Sequence, residues 1–269
     1  MPAQRNLNEK VEIPVEHLSY AKFIESLVLE AHRRHISVTK IGDKVSETTG
    51  ILYPLYRLEI NPKAERNICI VAGIHGVEIA GPLAILTLVQ SHSQRLLPEF
   101  RYIIYPMLNP FGFDVKQRFT DSGRDLNALY AMTLNNDLHY QEIQSFYQDI
   151  HTYGHLDAVI TLHEDMDLDR FYMYGLGKDN VELYHQLCAV AERYCPFWAN
   201  ADVYGLRSDE FGLVIASARD HAVDGSLYAK GMTKVAFTVE TPGKLRIGIR
   251  INLAIDVLIE CGRLLAKRL

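Results

Sequence analysis

Apolar and polar residues alternate along the chain with two different periods, and the periods change from segment to segment. Tyr20 to His35 carries the spacing of an amphipathic helix. Ser37 to Ile41 and Leu52 to Ile60 predict a pair of antiparallel strands, the second with Tyr, Leu and Ile in period two. Ile68 to Ile74 is apolar almost throughout, as a strand buried on both faces would be, and a helix follows from Ile79 to about Gln90. Tyr102 to Met107, Ala158 to Leu162, the short Phe171 to Tyr174 and Lys234 to Val239 complete the strands. Asp137 to Tyr153, Val181 to Tyr194 and roughly Gly248 to Lys267 complete the helices. Residues 109 to 135 form a long irregular stretch, and loops of that length in compact domains usually carry function. This alternation predicts an α/β fold in one domain spanning residues 1–269, with a polar, flexible tail over about the first ten. No repeat, linker or low-complexity run interrupts it.

Composition narrows the class. The 269 residues, 48% of them hydrophobic, suffice for one sizeable core. A net charge of −5 provides no basic field for nucleic acid or an anionic membrane. Cys69, Cys188, Cys195 and Cys261 are scattered, form no Cys-x-x-Cys pair and read as reduced thiols. No segment reaches the roughly 18–20 apolar residues of a membrane span. The polar start lacks the apolar core of a signal peptide, so a cytoplasmic protein is expected.

The chemistry gathers at strand ends. The run Asn67–Ile74 delivers His75, Gly76, Val77 and Glu78 to the start of the next helix. An imidazole and a carboxylate three residues apart there can reach one cation. A polar loop whose acid favours the helix dipole is the alternative for this pair taken alone. Three segments follow: Leu108-Asn-Pro-Phe-Gly through Arg118 to Asp125-Leu-Asn127, then Leu156 to His163, then Val235 to Glu240 before Thr-Pro-Gly. Read singly, each has an ordinary alternative. His163 fits a satisfied core histidine, Glu240 a strand cap, Arg118 a surface cation, and Asp125 and Asn127 turn chemistry.

In combination the chain resembles the zinc carboxypeptidase family. That family's His-x-x-Glu, Asn-Pro-x-Gly, Arg, Asp-Leu-Asn, later His and late Glu occur here in the same order, over roughly residues 68 to 243. The resemblance implies a mixed, mostly parallel twisted sheet flanked by helices. It also implies one Zn2+ per chain, held by His75, Glu78 and His163 with a fourth position left for water. By the same resemblance, Glu240 is the general base, Arg118 stabilises the oxyanion, and Asp125 hydrogen-bonds a metal-binding His. Asn127 and Arg124 are expected to bind substrate.

One position departs from the family. Asn127 is followed by Ala128, where the family usually has an Arg that grips a substrate carboxylate. Either Arg124, Arg170 or Arg219 compensates, or the enzyme does not require a free C-terminal carboxylate. The family's late substrate-facing Tyr falls to Tyr204 or Tyr228. The expected activity is therefore metal-dependent hydrolysis of an amide bond in a small peptide, a carboxypeptidase-like metallopeptidase reaction. The alternative is an N-acyl amino acid deacylase of the aspartoacylase or succinylglutamate desuccinylase type. A non-catalytic metal- or peptide-binding module is the more remote reading, since neither a ligand nor the late Glu is missing. Oligomeric state is left open.

Overall fold

A computed structural model describes residues 18–132, 140–217 and 223–268. The proposed N-terminal tail, Arg219 and the end of the 109–135 stretch lie outside the described residues. Helix α1 (Tyr20–Arg33) leads into the hairpin β1 (Ser37–Val45) and β2 (Leu52–Ile60), then β3 (Arg66–Ala72), α2 (Ala80–Thr87) and β4 (Phe100–Tyr105). Three helices follow, α3 (Pro110–Val115), α4 (Leu126–Met132) and α5 (Gln141–Ile150), before β5 (Ala158–Asp165) and β6 (Tyr172–Leu176). Helix α6 (Val181–Cys188), a small hairpin of β7 (Asp202–Val203) and β8 (Leu206–Arg207), β9 (Leu213–Ala216), α7 (Val223–Ala229), β10 (Ala236–Pro242) and α8 (Ile247–Ala266) complete the described chain.

Eight strands form one mixed sheet in the order β1-β2-β4-β3-β5-β10-β6-β9. The four central strands β4, β3, β5 and β10 are parallel, and β2 and β6 flank them antiparallel. Side-chain alternation divides the core between the two faces. Ile68, Ile70, Ile160, Leu162, Phe237 and Val239 join the cluster beneath α1, α2, α6 and α8. Cys69, Val71, Val159 and Ala236 join the one beneath α4, α5 and α7. Strands covered on both faces read as unbroken apolar runs, which is why Ile68–Ile74 and Ala158–Leu162 were legible. Burying each such aliphatic side chain contributes roughly 1.5–3 kcal/mol.

The connections position the site. From β3 the chain passes through α2 to β4 on one side, whereas from β5 it moves outward to β6 and β10 on the other. The carboxyl ends of β3 and β5 therefore flank a topological switch point, where open α/β sheets form their ligand crevice.

Several elements differ from the pattern-based expectation. The 109–135 stretch is not irregular throughout: it holds α3 and α4. Strand β1 runs on to Val45 past a register shift between Lys40 and Gly42. The helix after Ile79 gives way to a π-turn at Leu88–His92, and the one from Val181 tightens to 3-10 at Ala189–Arg193. The β7–β8 hairpin, β9 and α7 had no recognisable period, because such short segments barely complete one.

Candidate metal centre and active site

His75 occupies the turn after β3, and Glu78 precedes the first residue of α2. The turn is held against the loop of the Asn-Pro-Phe-Gly segment at van der Waals limits. A Cβ on Gly76 would lie 1.9 Å from the carbonyl carbon of Gly112, so neither backbone tolerates a side chain there. Asn109 caps α3, its Oδ1 accepting the Gly112 N–H at 3.0 Å, while its Nδ2 donates to the Arg118 carbonyl at 3.1 Å. That same carbonyl accepts the Gly76 N–H at 3.4 Å. One asparagine thus ties the His75 turn to the Arg118 loop.

Three buried side chains converge in the crevice. Glu78 Oε1 lies 2.6 Å from His75 Nδ1, and Glu78 Oε2 lies 2.7 Å from His163 Nδ1. The two Nδ1 atoms are 3.2 Å apart. One donor atom from each of the three lies within 4.8 Å of the others, and this is the one such group of three His, Cys, Asp or Glu side chains among the described residues. His75 Nε2 sits 3.1 Å from Asp125 Oδ1. A carboxylate only accepts, so Nε2 carries the hydrogen and a neutral His75 turns its Nδ1 lone pair inward. That lone pair faces a second ring nitrogen and a carboxylate, a donor set that calls for positive charge at its centre.

The electrostatics point the same way. Burial opposes an imidazolium at His75, yet Glu78 and Asp125 outweigh it and raise its pKa. Burial would raise the Glu78 carboxyl, but His163 and His75 hold it down at about 2. Arg118 spans the two acids, with Nη1 3.1 Å from Glu78 Oε1 and Nε 3.2 Å from Asp125 Oδ2, and its side chain stays 46% exposed. Glu240 stands opposite His163 in the parallel register of β10 and β5, so the two occupy neighbouring positions on the same face. Burial pushes its carboxyl up to about 8, with His163 pulling it down and Glu78 adding to the rise.

The model of the Succinylglutamate desuccinylase/Aspartoacylase catalytic domain matches residues 64–249, well over half the chain. The chain belongs to this family. Family membership makes it a hydrolase-family protein with the carboxypeptidase-like fold, as solved structures also indicate. A candidate metallopeptidase from Shewanella amazonensis superposes with a TM-score of 0.74 at 23% identity, covering 88% of this chain and 90% of that one. A metallo-carboxypeptidase from Burkholderia cenocepacia gives 0.71 at 16%, covering 94% and 71%. Bovine thrombin-activatable fibrinolysis inhibitor, in complex with tick carboxypeptidase inhibitor, gives 0.70 at 16%, covering 95% and 99%. At these identities the likeness is one of fold. No curated protein matches significantly. Among the described residues of this desuccinylase/aspartoacylase-family chain, no helix is long and apolar enough to cross a membrane.

Around the His75–Glu78–His163 group, the remaining residues separate into near and far. Asn127 meets the site through its backbone, donating its N–H to Asp125 Oδ1 at 2.9 Å. Ala128 and Arg124 are exposed, and Arg170 is exposed with Asp169 3.8 Å away. Tyr204 rather than Tyr228 faces the site. It sits at the tip of the β7–β8 hairpin, where it and Gly205 have φ of 51° and 86°, the two left-handed residues of a type I′ turn. The phenol is 83% exposed and feels the charges of Asp165, Glu240 and Arg118. Tyr228 instead packs its hydroxyl against Gly177. A tyrosine the sequence reading missed lies closer. Tyr172 pairs across the sheet with Glu240 and donates its hydroxyl to Asp165 Oδ2 at 3.0 Å. Its period-two partner Tyr174 was the available signal, but nothing local linked either to Glu240.

Proposed function

We propose that this chain is a zinc-dependent amide hydrolase that releases an amine from a small N-acyl amino acid. The observation that carries this reading is the convergence of His75, Glu78 and His163 with Glu240 one strand away on the same face. Two imidazoles and one carboxylate are a common catalytic zinc set that leaves a position open. Held there, zinc would polarise the scissile carbonyl and lower the pKa of a water from nearly 16 towards about 7.

The chain's own residues supply the rest. Glu240 accepts the proton from the attacking water and returns it to the leaving nitrogen. Burial raises its pKa and keeps the protonated form a competent acid, while His163 and Arg118 favour the ionised form. Arg118, fixed through its own carbonyl by Asn109 and held by Glu78 and Asp125 through Nη1 and Nε, leaves Nη2 for the developing oxyanion. Such donors are worth roughly 3–4 kcal/mol where they have been removed elsewhere. Asp125 fixes the His75 tautomer and raises the basicity of the inward nitrogen. Tyr204, exposed at the hairpin tip near Asp165, Glu240 and Arg118, is the tyrosine we assign to contact the substrate.

The family match favours the acyl amino acid. The Asn109-Pro-x-Gly and Asp125-Leu-Asn segments do not separate this reading from a second one, removal of a terminal residue from a short peptide, which the carboxypeptidase-like fold favours. A panel of N-succinyl and N-acetyl amino acids and short peptides, assayed with the zinc-loaded protein for released amine, tests both. Turnover confined to acyl amino acids is the expected result. No turnover of any amide by a fully zinc-loaded sample would overturn the proposal.

A further inference from the structure

Strand β5 sends His163 towards the metal centre and the next side chain, Glu164, to the opposite face. There the strand's other residues, Ile160 and Leu162, lie in the apolar layer under α2 and α8. Glu164 is only 3% exposed in that layer, yet it is a carboxylate. Its Oε1 accepts the N–H of Ala80, the first residue of α2, at 2.6 Å. Its Oε2 accepts from Arg250 Nη1 of α8, whose side chain is 11% exposed. The backbone N–H of Glu164 itself donates to Glu78 Oε2 at 3.3 Å.

Glu78 is thereby gripped twice by one residue. Its carboxylate receives the main-chain N–H of position 164, and the main chain two residues beyond it is pinned by the side chain of 164. There is little slack in the packing, since a Cβ on Gly81 would already meet Leu162 Cβ at 3.0 Å. Apolar packing alone would hold α2 to β5, and a buried ion pair is an expensive way to do so. What the pair adds is direction: a hydrogen-bond acceptor at one point, with the negative charge next to Glu78 cancelled by a guanidinium.

We infer that Glu164, neutralised by Arg250, is the positioning residue that aims Glu78 into the metal centre. This rests on the metal-centre reading above. The groups that hold a ligand in place typically change metal affinity about 10–100-fold when lost.

The test uses the full chain loaded with Zn2+ for affinity, by chelator competition, and with Co2+ for its visible spectrum. The parent is compared with Glu164→Gln, Arg250→Met and the double variant Glu164→Leu/Arg250→Leu. The double variant removes both charges together, so it folds without an unpaired buried ion and separates positioning from stability. Expected are one ion per chain in every protein, a dissociation constant about 10–100-fold weaker in the variants, and an altered Co2+ band shape. Arg250→Lys should recover part of both losses. A parent that binds an ion while the double variant matches its affinity and spectrum would overturn this inference alone. A parent that binds no ion would overturn the metal-centre reading, and the inference with it.

Discussion

Glu240 and His163 face each other across the parallel pairing of β10 with β5, and a threonine pair two residues back holds that register. Thr161 and Thr238 share a hydrogen bond of 2.7 Å, and Thr238 also donates to the buried Asp224 Oδ2 at 2.7 Å. A one-residue slip would turn Glu240 to the opposite face. The polar ladder therefore places the proposed general base, Glu240, beside the proposed metal ligand, His163, without any direct bond between them.

Glu240→Gln keeps the shape of that side chain and removes its capacity to take a proton. It is expected to retain one zinc per chain while turnover falls by roughly 10²–10⁴, the usual scale for a general base. Elemental analysis alongside kcat measurement checks both halves. Near-parental turnover would assign the base elsewhere.

His163→Ala removes one of two inward nitrogens and leaves Glu78 with a single imidazole partner. Stoichiometric zinc is expected to disappear, and chelator treatment of the parent should abolish an activity that added zinc restores. Full zinc occupancy in the alanine variant, by elemental analysis, would refute the ligand set.

Local order explains what could be read in advance. His75, His163 and Glu240 each end an apolar run, because central parallel strands are buried on both faces and carry their chemistry at their carboxyl ends. Asn109 followed by Pro110 is a helix-start signal inside the supposedly irregular stretch. The helix it opens stops after six residues, with Lys116 left-handed at φ 58°, too short to show a period. Tyr172 reaches Glu240 only through antiparallel pairing between strands far apart in sequence. Choosing Tyr204 over Tyr228 required the turn geometry of a hairpin with two-residue strands. Glu164 has no local signal of a role, since the two groups that donate to its carboxylate lie on helices 84 and 86 residues away.

Lys44 anchors the site loop from outside the crevice. Its ammonium lies 3.1 Å from Asp121 Oδ1 and 3.6 Å from Glu142 Oε1, all three side chains buried, and Asp121 Oδ2 accepts the Glu47 N–H at 2.6 Å. Lys44→Met leaves two buried carboxylates uncompensated, a loss of about 3–5 kcal/mol. Burial already raises the Glu142 pKa and Lys44 restrains the rise, so the variant raises it further. A folded-state carboxyl pKa above its unfolded value penalises folding above the unfolded pKa, and the penalty fades as pH falls through the folded value. The deficit in urea unfolding should therefore be larger at pH 7 than at pH 5. An equal deficit at both would remove the electrostatic cause.

Substrate selection is expected to turn on Ala128, which follows Asn127. A methyl group there cannot clamp a carboxylate, and Arg118 is already engaged by Glu78 and Asp125. Arg124 lies beside Asp125 on the same loop, is exposed, and makes no ion pair with another described residue. Small polar substrates need a charge to orient them, so Arg124 is expected to take the carboxylate of the amino acid half. Arg124→Ala should raise KM for a free acid by roughly tenfold, about 1.4 kcal/mol, and leave the corresponding amide unchanged. The parent should prefer acid over amide by a similar factor. Equal kcat/KM for acid and amide forms of one cleavable substrate would show that no arginine replaces the missing one. Recognition would then rest on the acyl half, which is what separates a deacylase from an enzyme that reads a peptide's terminal carboxylate.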